Sequence, residues 1–380
     1  MSRLDRLAPL LRAEPDNLPL HRECVELAMR GGEFERALAL VDARLNRHPS
    51  EAETLFARSN ALIGLKQHAE ALAILKTLEQ QGVAEPGVLQ NLATCHYILR
   101  QFENSRAYAE QLMAAGDRSA GALHLAISSL HHLGEVEAAA RLADEHAAVV
   151  ETHGLLAGVC AMAYLDVEAT PKAAKLAAIA LAQNPDSIDG LTVQATLAAA
   201  ALETEQAFSQ FTRITQLAPQ SGRAWLGLGL LATLAQDFAR AKELLTRATE
   251  LMPNHLGSWH SLAWAHLFSG DSAGAERLFA HALELDRTFG ESHGAMAAML
   301  AMRGDREGAE REIEIAERLD RKGASAQFAR AMLLAHTSGP EASRQFIRDS
   351  VVLLARQFLD KPRAVLTELA KRTPKRPPPG

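Results

Sequence analysis

The chain has 380 residues, a formal charge of -6 and 48% apolar residues, enough to bury a large core and ordinary for a water-soluble protein. The opening MSRLDRLAPLLRAEP lacks the apolar stretch of a secretory signal, and no run approaches the ~20 apolar residues that span a membrane. A cytoplasmic protein without membrane insertion is therefore expected. Aromatics are only 5%, Ala and Leu dominate, and β-branched runs are missing, so the composition predicts helices packed at close range. Cys24, Cys95 and Cys160 form no CxxC pair. They read as small buried hydrophobes in a reducing compartment, not as a disulfide or zinc framework.

In chain order, residues 2–14 predict a lone amphipathic helix closed by Pro15, so 1–17 reads as an N-terminal cap. Helix pairs then start near Leu18 and near Ala52, the second running into the polar loop EQQGVAEPG at 79–87. A fourth pair, from about Ala120, lacks a closing proline. The fifth has no turn glycine; Thr170 and Pro171 read instead as N-cap and N1 of its second helix. The sixth to eighth are the most regular. Gly222–Pro253, GRAWLGLGLLATLAQDFARAKELLTRATELMP, is the clearest copy. The second helix of the ninth, REGAEREIEIAERLDRK, reads as a solvated face laced by i,i+4 pairs. Nine repeats thus fill 18–323. A degenerate tenth pair and closing helices are expected over 324–371, with Ala331 and Ser343 at its small positions, a long apolar helix over 341–358 and a short helix from about Asp360 and Pro362. The Pro-rich residues 372–380 are expected to be disordered. Residues 361–380 carry six basic residues against Glu368, hence +5, which leaves -11 on the rest. This end reads as solubilising, and nucleic acid is not expected as a partner.

A period underlies these pairs. With Gly222 as position 1 of a 34-residue unit, Trp225 falls at 4, Leu228 at 7, Gly229 at 8, Ala232 at 11, Ala241 at 20, Leu245 at 24, Ala248 at 27 and Pro253 at 32. The alanine at 20 recurs at Ala37, Ala71, Ala107, Ala139, Ala173, Ala207, Ala241, Ala275 and Ala309, with gaps of 34, 36, 32 and then 34 throughout. The 36 places two extra residues in the 79–87 loop and predicts an irregularity at the third repeat. Pro15, Pro49, Pro185, Pro219 and Pro253 keep one phase and end second helices. Position 8 is mostly small (Ser59, Cys95, Ala161, Ala195, Gly229, Ala263, Ala297), which lets paired helices approach; Val25 and Ile127 depart from this and should widen the packing locally.

These residues and this period resemble the tetratricopeptide repeat (TPR). The predicted fold is all-α, an α-α superhelix (solenoid) of antiparallel helix pairs. The resemblance implies that first helices line a concave groove through positions 2, 5, 9 and 12. Carried onto this chain, that gives Phe56, Asn60 and Ile63 in repeat 2, Leu92, His96 and Leu99 in repeat 3, and His124, Ser128 and His131 in repeat 4. Leu226, Leu230 and Thr233 follow in repeat 7, and His260, Trp264 and Leu267 in repeat 8. One end of the groove then gathers three histidines. The other is apolar around Trp264, a candidate hot spot for a bound peptide or helix. Trp225 and Trp259, at position 4, read as packing residues. His96, His124 and His131 read as a polar groove in a His-rich stretch, not a metal site. The Lys/Asn/Arg carboxylate clamp of some TPR cochaperones is not reproduced: Asn60 is present, but Phe56 replaces the lysine, and repeat 1 has Arg22 and Glu26.

No GxSxG, HExxH or Walker pattern occurs, and GLGL at 227–230 follows no strand. The expectation is a non-catalytic scaffold without cofactor, holding a peptide or helix of a partner protein in its groove, with no small-molecule substrate evident. The alternative is an accessory subunit of an enzyme such as a glycosyl- or sulfotransferase.

Overall fold

The computed structural model describes residues 2–321 and 323–338. Among them are helices and no strands. The chain divides into two compact units, Met1–Asn184 and Pro185–Gly380.

The first unit opens with α1 (Arg3–Ala13), whose end is closed by a capping box between Ser2 and Asp5. Then come α2 (Leu18–Arg30) with α3 (Phe34–Leu45), α4 (Ala52–Gly64) with α5 (His68–Gln80), and α6 (Pro86–Ile98) with α7 (Phe102–Ala114). Next are α8 (Ala120–His132) with α9 (Val136–Glu145) and the one-turn α10 (Ala147–Val150), and α11 (Gly154–Asp166) with α12 (Thr170–Gln183). The second unit holds α13 (Ile188–Ala200) with α14 (Thr204–Leu217), and α15 (Gly222–Leu234) with α16 (Phe238–Leu251). It continues with α17 (Leu256–Phe268) and α18 (Ser272–Leu285), α19 (Gly290–Met302) and α20 (Arg306–Leu319), and ends at α21 (Ala324–Ser338). Successive helices pack on one another within each unit, as in an all-α solenoid. The expected apolar helix over 341–358, the closing helix and the tail lie outside the described residues.

Every first helix starts 34 residues after the previous one, at 18, 52, 86, 120, 154, 188, 222, 256, 290 and 324. The expected insertion at 79–87 is therefore absent. Pro86 and Gly87 are not loop residues. They begin α6, with proline in the first turn, where its missing N–H is not needed. The small buried residue of the third repeat is Ser105, not Ala107, which is exposed. Serine is small enough for the seam, and its hydroxyl is satisfied there: Ser129 Oγ donates to Ser105 Oγ at 3.0 Å. Position 8 is correspondingly Ala93, not Cys95.

The turn inside each pair also follows the period. Residues 32, 66, 100, 134, 168, 202, 236, 270 and 304 all have φ between 58° and 88°. Glycine fills four of these, but Lys66, Arg100, Glu168, Leu202 and Gln236 adopt the left-handed conformation at a steric cost. The fifth repeat thus makes the same turn without glycine. As a result Ala169 is the N-cap of α12, and Thr170 and Pro171 are its first two residues, one place later than the capping pattern predicts.

Packing follows residue size at position 8. A Cβ on Gly229 would lie 2.5 Å from Leu245 Cγ, so only glycine admits that leucine. The two loosest hairpins, α2 with α3 and α8 with α9, are those that carry Val25 and Ile127. In the latter the second helix also breaks, at His146 (φ -119°, ψ 27°). Trp225 and Trp259 donate their indole N–H to the carbonyls of Pro219 (2.9 Å) and Pro253 (2.7 Å). Each thereby ties the start of a repeat to the proline that closes the one before. All three cysteines are free and buried, and burial pushes the thiols of Cys95 and Cys160 up to about 11 and about 12.

Candidate functional site

In the first unit, α2 and α4 wall a trough of about 580 Å³. Its apolar lining is Val25, Met29, Phe56 and Ile63. Phe56 is half-buried, and it can lie there because the next repeat offers glycine: a Cβ on Gly87 would meet Phe56 Cζ at 3.0 Å. The rims are charged but internally paired. Arg22 binds Glu53 across the two helices, and Arg30 binds Glu26 along α2 at 3.1 Å. Asn60 accepts from Asn91 Nδ2 at 2.5 Å, while its own amide nitrogen makes no bond to the described residues. His21, also in the lining, is pinned at 3.2 Å from the Leu40 carbonyl, and burial holds its pKa below the usual histidine value.

Phe56, Asn60 and Ile63 are positions 5, 9 and 12 of α4 and Arg22, Glu26 and Met29 the same positions of α2, with Val25 added from position 8, so the period builds most of the trough. Residues 25–84 and 192–255 match one tetratricopeptide repeat profile, and 256–289 match another. The chain is a tetratricopeptide-repeat protein. No curated protein matches it significantly. It is similar in structure to the pilF protein of Pseudomonas aeruginosa (16% identity, 56% of this chain and 96% of that one, TM-score 0.43). It is also similar to a TPR protein from Parabacteroides merdae (14%, 74% and 98%, 0.40) and to yeast Tom70 (16%, 98% and 88%, 0.40). Overlaps this loose add nothing to the reading of the site.

The true register of the TPR array rearranges the predicted groove. In repeat 3 the groove positions are Gln90, Thr94 and Tyr97, all half-buried, in place of Leu92, His96 and Leu99. His96 is 1% exposed, stacked on Tyr108 with centroids 5.5 Å apart and held at 2.6 Å from Gln101 Oε1. It is a core histidine, displaced from the predicted face by two residues of misjudged register. His124 and His131 do share a face of α8, but they meet different rings: His124 lies 6.1 Å from Tyr97 and His131 lies 5.9 Å from His132. His131 Nε2 lies 2.8 Å from Asp166 Oδ2, and His132 stacks on Phe102 at 4.3 Å. Burial lowers the pKa of His124. Ser128 is fully buried. Among the described residues no group of three or more His, Cys, Asp or Glu side chains is placed to hold a metal.

The apolar end departs further from expectation. Leu226 is half-buried against Ala241, Leu245, Leu262 and Ala265, Leu230 is buried, and Thr233 bonds the Gly229 carbonyl at 2.9 Å. Trp264 is only 2% exposed and so is not an open anchor. Its ring meets Phe268 at 5.5 Å, Phe279 at 5.1 Å and Phe328 at 5.3 Å. Phe328 belongs to α21, two repeats on. His260 is 1% exposed, 2.9 Å from Ser292 Oγ, and burial pushes its pKa down to about 4. The cover is α21 itself. Its backbone reaches α19 so closely that a Cβ on Gly294 would stand 2.4 Å from Ala326 N. The amino-acid order carries one signal of this cover: Gly294, Ala298 and Ala301 fill groove positions of α19 with the smallest residues available, as a seated helix requires.

Proposed function

We propose that this TPR array is a non-catalytic scaffold that holds a short segment of a partner protein in the α2–α4 trough. The observation that supports it is the combination of an apolar lining (Val25, Met29, Phe56, Ile63) with one amide nitrogen, that of Asn60, left to donate. An extended segment offers what such a trough takes: apolar side chains for the floor and a backbone carbonyl for the amide. The rim favours a segment of low net charge. Arg22 and Arg30 are already neutralised by Glu53 and Glu26, so a terminal carboxylate finds no free clamp there.

The test is selection from a random peptide display library on the full chain, followed by titration of the selected peptides. Binding in the micromolar range that falls at least tenfold in both Phe56→Ala and Asn60→Ala is expected. Peptides whose affinity is unchanged by both substitutions would remove the trough as the site. Co-purification of the full chain from cell extract with a glycosyl- or sulfotransferase whose activity depends on it is the outcome that favours the accessory-subunit alternative.

A further inference from the structure

Helix α21 is seated on α17 and α19 in the manner of a ligand. Its first two backbone N–H groups are capped from outside, Ala324 and Ser325 both donating to the carboxylate of Glu291 on α19 (2.6 and 3.1 Å). Its backbone lies against Gly294. Phe328, Ala329 and Met332 enter the cluster of Trp264, Leu267, Ala298 and Ala301. Arg330 grips Glu317 of α20 through two bonds of 2.6 and 2.7 Å. Glu291, Gly294, Ala298 and Ala301 are positions 2, 5, 9 and 12 of α19, the positions that face a groove. Contact between Trp264 and Phe328 skips the intervening repeat, which nearest-neighbour stacking does not produce.

The seat is also imperfect. Trp264 Nε1 and Ser325 Oγ are buried and have no hydrogen-bond partner among the described residues. Each has given up water without replacement, so the closed arrangement is less stable than its apolar contacts alone would make it.

We propose that the α17–α19 face is a binding site for an amphipathic helix, occupied in cis by α21 and open in trans to a helix that presents an aromatic residue and a methionine four positions apart between small residues. α21 is then an internal competitor, and binding of a partner helix requires its release. This stands apart from the α2–α4 trough and does not depend on it.

The test uses the full chain and a labelled synthetic peptide of residues 323–338. Wild type, its site filled, is expected not to bind at concentrations where Phe328→Asp, with α21 dislodged, binds with a Kd on the order of 10 μM. A peptide carrying the same Phe-to-Asp change should not bind the variant. Adding Gly294→Leu to the Phe328→Asp chain should abolish capture. Because Phe328→Asp can disturb the core, Met332→Ala serves as a second release variant: it weakens only the grip of α21, leaves the α17–α19 face intact and should raise peptide affinity at least tenfold over wild type. If the release variants keep their helical content and neither captures the peptide, α21 is a fixed part of the core and the proposal fails. It fails equally if wild type binds the peptide as tightly as the variants.

Discussion

Arg44, near the end of α3, holds Glu51, the N-cap of α4, through paired hydrogen bonds of 2.5 and 2.6 Å, and the arginine is only 6% exposed. The pair joins one repeat to the next where the chain turns between them. The Arg44 guanidinium, helped by the Thr54 hydroxyl, draws the Glu51 pKa down to about 2. A depressed carboxyl pKa stabilises the fold above the unfolded value of about 4.5. That contribution fades as pH falls toward 2. Glu51→Gln is expected to cost about 2 kcal/mol at pH 7, because it leaves a buried guanidinium unpaired. Urea melts at pH 7 and pH 3 check this: the variant should lose less stability than wild type on acidification.

His260 predicts a second pH effect, at higher pH. Its folded pKa of about 4 lies below the unfolded value near 6.5, so the unfolded chain binds the extra proton between those values. Stability should be greatest above pH 6.5 and fall by up to about 1.4 kcal/mol per pH unit as pH drops toward 4. His124, His96 and His21 are shifted in the same direction by burial. Comparing melts at pH 7.5 and pH 5 for wild type and His260→Gln should show a shallower slope in the variant.

Position 15 of the repeat offers a clean test of backbone strain. Leu202 has φ 62° and is 43% exposed, so its side chain contributes little. Leu202→Gly should stabilise by about 0.5–1 kcal/mol, relief of left-handed strain outweighing the entropy of an added glycine. Gly270→Ala, at φ 88°, should destabilise by about 1 kcal/mol. Thermal melts that shift both variants the same way would refute the assignment.

The register of repeat 3 can be tested by size. Ser105→Leu overpacks a buried seam and should cost about 1–3 kcal/mol, whereas Ala107→Leu on the exposed face should stay within about 0.5 kcal/mol. Ser105→Ala leaves the Ser129 hydroxyl buried and unpaired, at about 1 kcal/mol. A larger loss for Ala107→Leu than for Ser105→Leu would restore the interrupted register.

The helix pairs were legible because they rest on side-chain size and proline phase, which the amino-acid order carries directly. Alanine alone does not mark the seam of repeat 3. The seam asks for any small side chain, and Ser105 meets that need beside Ser129 while the nearby Ala107 points outward. A register taken from Ala107 is two residues out, which puts the core residue His96 on a groove face that Tyr97 occupies. The burial of Trp264 was not legible for another reason. It depends on a helix two repeats away arriving over three small residues, a long-range contact that no local pattern specifies. Phe56 and Asn60 were legible as positions, but the trough they share with Val25 and Met29 depends on the adjacent α2.

In a linear array each repeat touches only its neighbours, and the end frays one repeat at a time. Trp264 and Phe328 break that rule. Release of α21 uncovers α17 as well as α19 while both stay helical, so the parts of both that it covers should lose protection together. Amide exchange in α17 and α19 would then share a single opening free energy, and an event at α21 would be felt at least two repeats upstream.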